Sequence, residues 1–457
     1  MSKLNKIIIV IALVCFGLLP VTTARAAKIG KNSCGGTDVP NAYCSFEGTG
    51  DVTIGNDSCN VEGACLNLGD GVKIGKNSCN GEDACAGIGS AGGEAMIGND
   101  ACNSYQACSY AGDCGGSVKI GNDSCNQYEA CYAAGSGGMA EIGKGACNGY
   151  DACYSAANSG GSITVGDGAC FGYGACYEVA TSGGTAVIDK DACHREYACY
   201  EAAYEGRAEI GRGACKGYYA CYGVGYDPTG SAEIGRGACL GYYACYDAGY
   251  YGRVEIGMGA CKDYEACKEA GYNATGSAVI GKGSCLGYEA CIEAGEQGDA
   301  VIEDKSCRGT YACYEVAYND SSASIQVGKG SCLGYEACCY ATYEGQAVIG
   351  KGSCAKDYSC YDAGYYGSAT IGDKSCNGYY ACYELADDES VNGVSSQVGD
   401  KSCNGSEACR EVGDDFNATI GAGSCNNYEA CYYVGHTAAD SIGDKQCNEP
   451  QECSDET

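Results

Sequence analysis

The chain has no Trp, four Phe, four Pro and two His. Without large aromatic side chains there is little to fill a conventional globular core, so small residues and covalent links must take that role. The two imidazoles, His194 and His436, stand in non-equivalent sequence contexts and suggest neither a catalytic pair nor a zinc set. Only one apolar run is long, Ile7 to Leu19, and at about 13 residues it is short of the roughly 20 a membrane helix needs. Basic residues are scarce too. Lys and Arg number 28 against 59 Asp and Glu, a formal net charge of -31, which disfavours nucleic acid and anionic membrane as partners and favours cations or basic proteins.

Residues 1–26 read as a secretory signal: Lys3 and Lys6, the apolar run, then Ala24-Arg25-Ala26 as a small-residue cleavage site. Its removal makes the chain three units more negative and turns the 41 cysteines into an even number by taking away Cys15. An even count in an exported protein reads as a disulfide framework, which places the protein outside the cell or on its surface.

What the chain has in abundance is a repeat. Cys-x5-Cys recurs about eighteen times with an Ile or Val five residues before each pair, from Ile54 through Val165 to Ile442. Gly follows that residue except where Asp189 and Glu303 stand, so a turn through a Gly-tolerant conformation is expected there. Segments such as Ala208-Glu209-Ile210 alternate small, polar and branched residues, the pattern of a short strand with one face inward. Length varies only between the second cysteine and the next strand, with the longest additions at 319–324 and 387–396. The expected fold is therefore all-β: a right-handed parallel β-helix, or β-solenoid, of about 19 coils with a mean period of about 23 residues. Its parts are a signal peptide (1–26), an irregular N-terminal coil (27–58), a regular solenoid (59–446), and a C-terminal coil with an acidic tail (447–457).

Each coil carries both of its cysteines, which predicts one bridge within the coil. The pairs are Cys34 with Cys44, Cys59 with Cys65, Cys79 with Cys85, Cys102 with Cys108, Cys125 with Cys131, Cys147 with Cys153, and Cys170 with Cys176. They continue with Cys193 and Cys199, Cys215 and Cys221, Cys239 and Cys245, Cys261 and Cys267, Cys285 and Cys291, and Cys307 and Cys313. The last are Cys332 with Cys338, Cys354 with Cys360, Cys376 with Cys382, Cys403 with Cys409, Cys425 with Cys431, and Cys447 with Cys453. Bridging between coils is geometrically possible, but an odd number of coils would leave a thiol over. Closing so short a loop contributes on the order of 2 to 3 kcal/mol. Cys114 and Cys339 fall off this ladder, as free thiols or links to another chain.

Tyr recurs three residues after the first cysteine and again just after the second, so that stacking would build aromatic columns. Tyr150, Tyr154, Tyr173, Tyr177, Tyr218, Tyr222, Tyr242 and Tyr246 are candidates for binding a polysaccharide or for oxidative cross-linking. A further column (Lys144, Asp167, Lys190, Arg212, Arg236) mixes signs and reads as a solvated face, and Asn-Asp pairs at Asn56, Asn99 and Asn122 allow calcium. Sequons occur at Asn56, Asn122, Asn273, Asn319, Asn404 and Asn417.

The unit Ser284-Cys285 to Ala290-Cys291 resembles the disulfide-cored β-solenoid of beetle antifreeze proteins. That resemblance covers the cysteine unit of each coil and implies the fold. The family's flat Thr-x-Thr array has no counterpart, since Thr53, Thr164, Thr370 and Thr419 share one position in scattered coils. The chain is also similar to the right-handed β-helix class that includes pectate-lyase-like enzymes and adhesins. Its irregular coils, marked by Asp189, Glu303 and Thr310, do not converge as an active site would. The expectation is a secreted structural or surface protein, an acidic rod that self-associates end to end or through Cys114, Cys339 and the Tyr columns. No enzymatic role and no cofactor are expected; a polysaccharide or ice ligand is the alternative, and a polysaccharide lyase the remote one.

Overall fold

The computed structural model describes residues 27–35, 43–47, 50–157, 160–177, 180, 183–200, 206–224, 231–246, 253–268, 277–292, 299–314, 316, 324–340, 346–364, 367–386, 394–413, 416–435 and 438–453. The signal peptide, the tail beyond 453, most of the two longest insertions, Asn273, Asn319 and His436 lie outside the described residues. The chain divides into two compact units, Met1–Asp191 and Ala192–Thr457.

Each unit is a parallel β-solenoid. In the first, strands Thr53–Ile54, Lys73–Ile74, Glu94–Ile97, Ser117–Ile120, Met139–Ile142, Ser162–Val165 and Thr185–Ile188 pair in sequence order, with equivalent residues opposite one another. A second, short pairing joins Cys44–Phe46 to Cys65–Leu68. In the second unit the same register runs from Arg207–Ile210 through Ser231–Ile234 and Arg253–Ile256 to Asp440–Ile442. Alternation puts Ala208 and Ile210 inside and leaves Arg207 exposed, so in each coil between the first and last described strands this strand buries at most two side chains, at least one of them branched. A buried Ile contributes about 1.5 to 3 kcal/mol, too little to order more than twenty residues without covalent help. That help is present. Each described coil is closed by its own disulfide, with Cα–Cα distances of 5.5 to 5.8 Å, and the paired cysteines are buried except the exposed Cys453 of the last coil. Ile29, in the first described strand, is the exception to the buried column at 48% exposure.

The Gly after each strand has a different cause from the one its sequence position suggests. Gly143 and Gly235 are absent from the left-handed region, whereas Gly145 (φ 64°), Gly237 (φ 62°) and the cysteines themselves, such as Cys239 (φ 53°) and Cys245 (φ 58°), occupy it. A Cβ on Gly235 would lie 2.6 Å from the Met258 amide nitrogen of the next coil. Close stacking, and not φ, disfavours a side chain there, although Asp189 and Glu303 carry one at the equivalent position.

Two polar ladders join the coils. Apart from Gln446, the residue before the first cysteine is buried, and where it is Ser its hydroxyl donates to a backbone carbonyl of the next coil, that of a Gly or, for Ser284, of Glu303, while accepting that coil's equivalent amide. Ser331 donates to the Gly350 carbonyl at 2.7 Å and accepts from the Ser353 amide at 3.2 Å; Ser353, Ser375 and Ser402 repeat the pattern. The residue after that cysteine is often Asn. From Asn60 to Asn148 each amide donates to the next Asn Oδ1 at 3.0 to 3.1 Å, and each Nδ2 from Asn80 onward donates to a backbone carbonyl of the preceding coil.

The mixed-sign column is also a ladder and not merely a solvated face. Asp167 Oδ1 accepts the Lys144 amide at 2.9 Å and Asp304 accepts that of Lys282 at 2.8 Å. Asn56, Asn99 and Asn122 use their side-chain oxygens in the same way, each accepting the amide of the coil before. These acceptors satisfy backbone donors that short strands leave at their ends.

Candidate functional site

The strand and the disulfide hold the segment between the cysteines rigidly, so residues at fixed offsets from Cys fall directly over one another. In the first unit the outer Tyr column runs Tyr105, Tyr128, Tyr150, Tyr173, with ring centroids 5.2, 4.5 and 5.2 Å apart and planes within 20°. In the second it runs Tyr218, Tyr242, Tyr264, Tyr288 at 5.0, 5.5 and 5.1 Å. An inner column, half-buried, places Tyr132, Tyr154 and Tyr177 at 4.9 and 5.0 Å, and Tyr200, Tyr222 and Tyr246 at 5.2 and 4.9 Å. Offset parallel stacking contributes about 0.5 to 1.5 kcal/mol per pair beyond burial.

A third column was not anticipated. Where the outer Tyr is followed by another, as in Tyr218-Tyr219 and Tyr242-Tyr243, the second ring stands edge-on to the first at 4.6 and 4.5 Å. It stacks on its own neighbours, Tyr197 on Tyr219 at 4.9 Å and Tyr219 on Tyr243 at 5.3 Å. The doublets were the visible signal. Where the outer position lacks Tyr, at Thr310 and Asp357, this column supplies the ring: Tyr311 bridges Tyr288 and Tyr335 edge-on at 5.7 and 6.1 Å, and Tyr358 bridges Tyr335 and Tyr379.

Elsewhere the same third column carries acids. Glu129, Glu265, Glu289, Glu336 and Glu429 each accept a hydrogen bond from the outer phenol just before them in sequence, which raises the pKa of Tyr128, Tyr264, Tyr288, Tyr335 and Tyr428, to about 12 for Tyr288 and Tyr335. In the inner column burial is the leading cause, and lifts Tyr132 and Tyr383 to about 12. Asp151, in the same column as Glu129, is raised to about 6 by partial burial and then by the Glu129 charge. Tyr128, Tyr264, Tyr288, Tyr335 and Tyr428 of the outer column and Tyr132 and Tyr383 of the inner one therefore keep their protons at neutral pH.

Lys268, Ile292, Cys339 and Arg410 interrupt the inner column, and the last two are accommodated within it. Arg410 lies 5.3 Å from the Tyr383 ring centroid and 5.7 Å from that of Tyr432, continuing the stack as a cation–π pair. Cys339 is buried at the position held elsewhere by Tyr, and Tyr340 stands edge-on between Tyr314 and Tyr361. Its place in the column accounts for an off-ladder cysteine that sequence alone left open between a thiol and a link to another chain. Cys114 lies half-buried in a turn where its amide donates to Asp113 Oδ1 at 2.6 Å. His194 follows Cys193 at the column position that Lys216 and Leu240 occupy in their coils. Ladder sulfurs such as those of Cys215, Cys221 and Cys239 come within 4.8 Å of one another, but as disulfides they have no thiolate to offer a metal.

The arrangement presents rings whose faces are covered by the next coil and whose edges and hydroxyls look outward. Among the described residues, no helix is long and apolar enough to cross a membrane. No curated protein and no solved structure matches the chain. One family model matches it three times, at residues 139–233, 228–326 and 296–394, and each match takes in four first cysteines of the ladder. Because those matches together cover more than half of the sequence, the chain belongs to the family described as a domain of unknown function, DUF7640.

Proposed function

We propose that this protein is a secreted structural component, a stiff acidic solenoid of an extracellular coat, matrix or appendage with no catalytic role. The observation that carries this reading is the redundancy of its connections: a disulfide closes each described coil, and polar or aromatic ladders tie coil to coil. A bridge in every coil suits an oxidising compartment. The edge strands of a solenoid carry unpaired donors and acceptors, which supports association of copies into fibres. Its high negative charge opposes that association until salt screens it. Light scattering of the purified protein across a salt series tests this: assembly should grow with ionic strength, and a protein that stays monomeric at high concentration and salt refutes it.

The alternative, a polysaccharide or ice ligand held on the Tyr columns, draws on the exposure of outer rings such as Tyr150 and Tyr242, each 42%. Stacking weighs against it, since sugars pack on ring faces and these faces are taken. Retention on chitin or cellulose, or thermal hysteresis, would favour that alternative.

A further inference from the structure

We infer that the outer tyrosine column is a site of oxidative cross-linking, at which exposed phenol edges of one copy couple to those of a second copy when a peroxidase supplies hydrogen peroxide. The inference rests on the structural reading above and names the bond that would make such an assembly permanent.

Three observations carry it. The accessible rings of the outer column include Tyr150, Tyr173, Tyr242, Tyr288, Tyr335 and Tyr379, 39 to 45% exposed, while its Tyr128, Tyr218 and Tyr264 are half-buried, as are Tyr132, Tyr361 and Tyr383 of the inner column. Several outer phenols have a built-in proton acceptor, since Glu129, Glu265, Glu289 and Glu336 take a hydrogen bond from the hydroxyl beside them. A phenol that is neutral at working pH must lose its proton along with its electron, and a carboxylate already in place receives it. The third observation is the stacking itself. Carbon–carbon coupling joins two rings edge to edge at the carbons ortho to the hydroxyl. Parallel neighbours such as Tyr128 and Tyr150, 4.5 Å apart and 5° from coplanar stacking, present faces to one another and cannot meet that way without leaving the column. Beside Tyr128 and Tyr150 the next residues are Glu129 and Asp151, so no ring of the same coil stands edge-on to them and a second molecule must supply the partner; Tyr242 and Tyr379, by contrast, have Tyr243 and Tyr380 edge-on at 4.5 and 4.4 Å.

The chemistry balances. Each of two tyrosines loses one electron to the peroxidase and one proton to the neighbouring carboxylate, or to water where the next residue is not an acid, as after Tyr173 and Tyr242. The two radicals form one ortho carbon–carbon bond, and each ring hydrogen displaced from carbon moves to the adjacent oxygen to restore the phenol. The two electrons and two protons reduce one hydrogen peroxide to two waters.

The test treats the full chain with a heme peroxidase and hydrogen peroxide, then reads multimers on reducing gels, where disulfide links are removed, and maps dityrosine peptides by mass spectrometry. Wild type should give concentration-dependent interchain dityrosine. Replacing Tyr150, Tyr173, Tyr242, Tyr288, Tyr335 and Tyr379 by Phe, which keeps the stack, should abolish most of it. Tyr132→Phe with Tyr361→Phe and Tyr383→Phe should leave it unchanged. Glu265→Gln with Glu289→Gln should slow the reaction, with recovery on adding an external base such as acetate. Dityrosine mapped to the inner column, or a yield independent of dilution, overturns the inference. A protein that assembles by light scattering yet forms no dityrosine defeats this inference alone; one that forms it but never assembles before oxidation defeats only the non-covalent part of the structural reading.

Discussion

Two sets of coils in the C-terminal unit meet the same backbone demand in different ways. Around Cys239, the Ala238 amide turns back to Gly235 of its own coil at 3.2 Å, and the Leu240 amide crosses to the Cys261 carbonyl at 3.2 Å. Around Cys376 and Cys403, the Ser402 amide donates to the Ser375 hydroxyl at 3.2 Å, and the Asn377 amide donates to Asn404 Oδ1 at 3.2 Å. No donor of these four goes unpaired in either set. The side chains decide only whether a bond closes within the coil or runs to the next, so the Ala and Leu coils lean on the disulfide and the backbone while the Ser and Asn coils add a polar seam.

The largest effect should come from cutting the bridge in each set. Replacing Cys239 and Cys245 by Ser, or Cys376 and Cys382, removes about 2 to 4 kcal/mol of local stability. Hydrogen exchange of the affected coils should show the greater loss around Cys239, where no polar seam holds the turn; equal losses would break the comparison. Gly235→Ala comes next, because its Cβ would meet the next coil's backbone at 2.6 and 2.7 Å. About 1 to 3 kcal/mol is expected, read as a lower melting temperature.

Ser331→Ala removes one donor and one acceptor from a buried relay, at a cost of about 1 to 3 kcal/mol. The Ala coils show the escape route, an amide folding back on its own Gly, so urea unfolding should place the loss toward the lower value. Asn404 sharpens the same point: its Nδ2 donates to Asn426 Oδ1 at 3.0 Å, and a glycan on that nitrogen would break the seam, so peptide mapping should find this sequon bare.

The smallest effect probes a side chain that no ladder satisfies. Asp151 Oδ1 is buried with no donor among the described residues, and its pKa of about 6 lies above the ordinary carboxyl value. The folded state therefore holds this proton more tightly than the unfolded chain. Stability at this site should rise as pH falls from 7 through 6 toward 4, and Asp151→Asn should flatten that part of a melting-temperature profile.

Much of this was legible in residues alone. The Ile and Val positions, the paired cysteines and the outer and inner Tyr positions all recur at constant offsets, and constant offsets become columns in any stack. The polar seams were harder to read, because Ser331 or Ser375 in sequence is only a small residue before a cysteine, and a hydroxyl's partner lies in a coil about 22 residues away. The placing of Tyr219 and Tyr243 is not legible in sequence, because a doublet does not say which ring faces which neighbour.

By itself the sequence determined the repeat, its covalent closure and the residues brought into line, because period and cysteine pairing are properties of one coil. Only the tertiary structure decided what those residues do to one another. Whether a Gly is needed for φ or for room, whether a ring offers its face or its edge, and whether an Asp binds a backbone amide or water all depend on the neighbouring coil, which approaches within a strand spacing of about 4.8 Å.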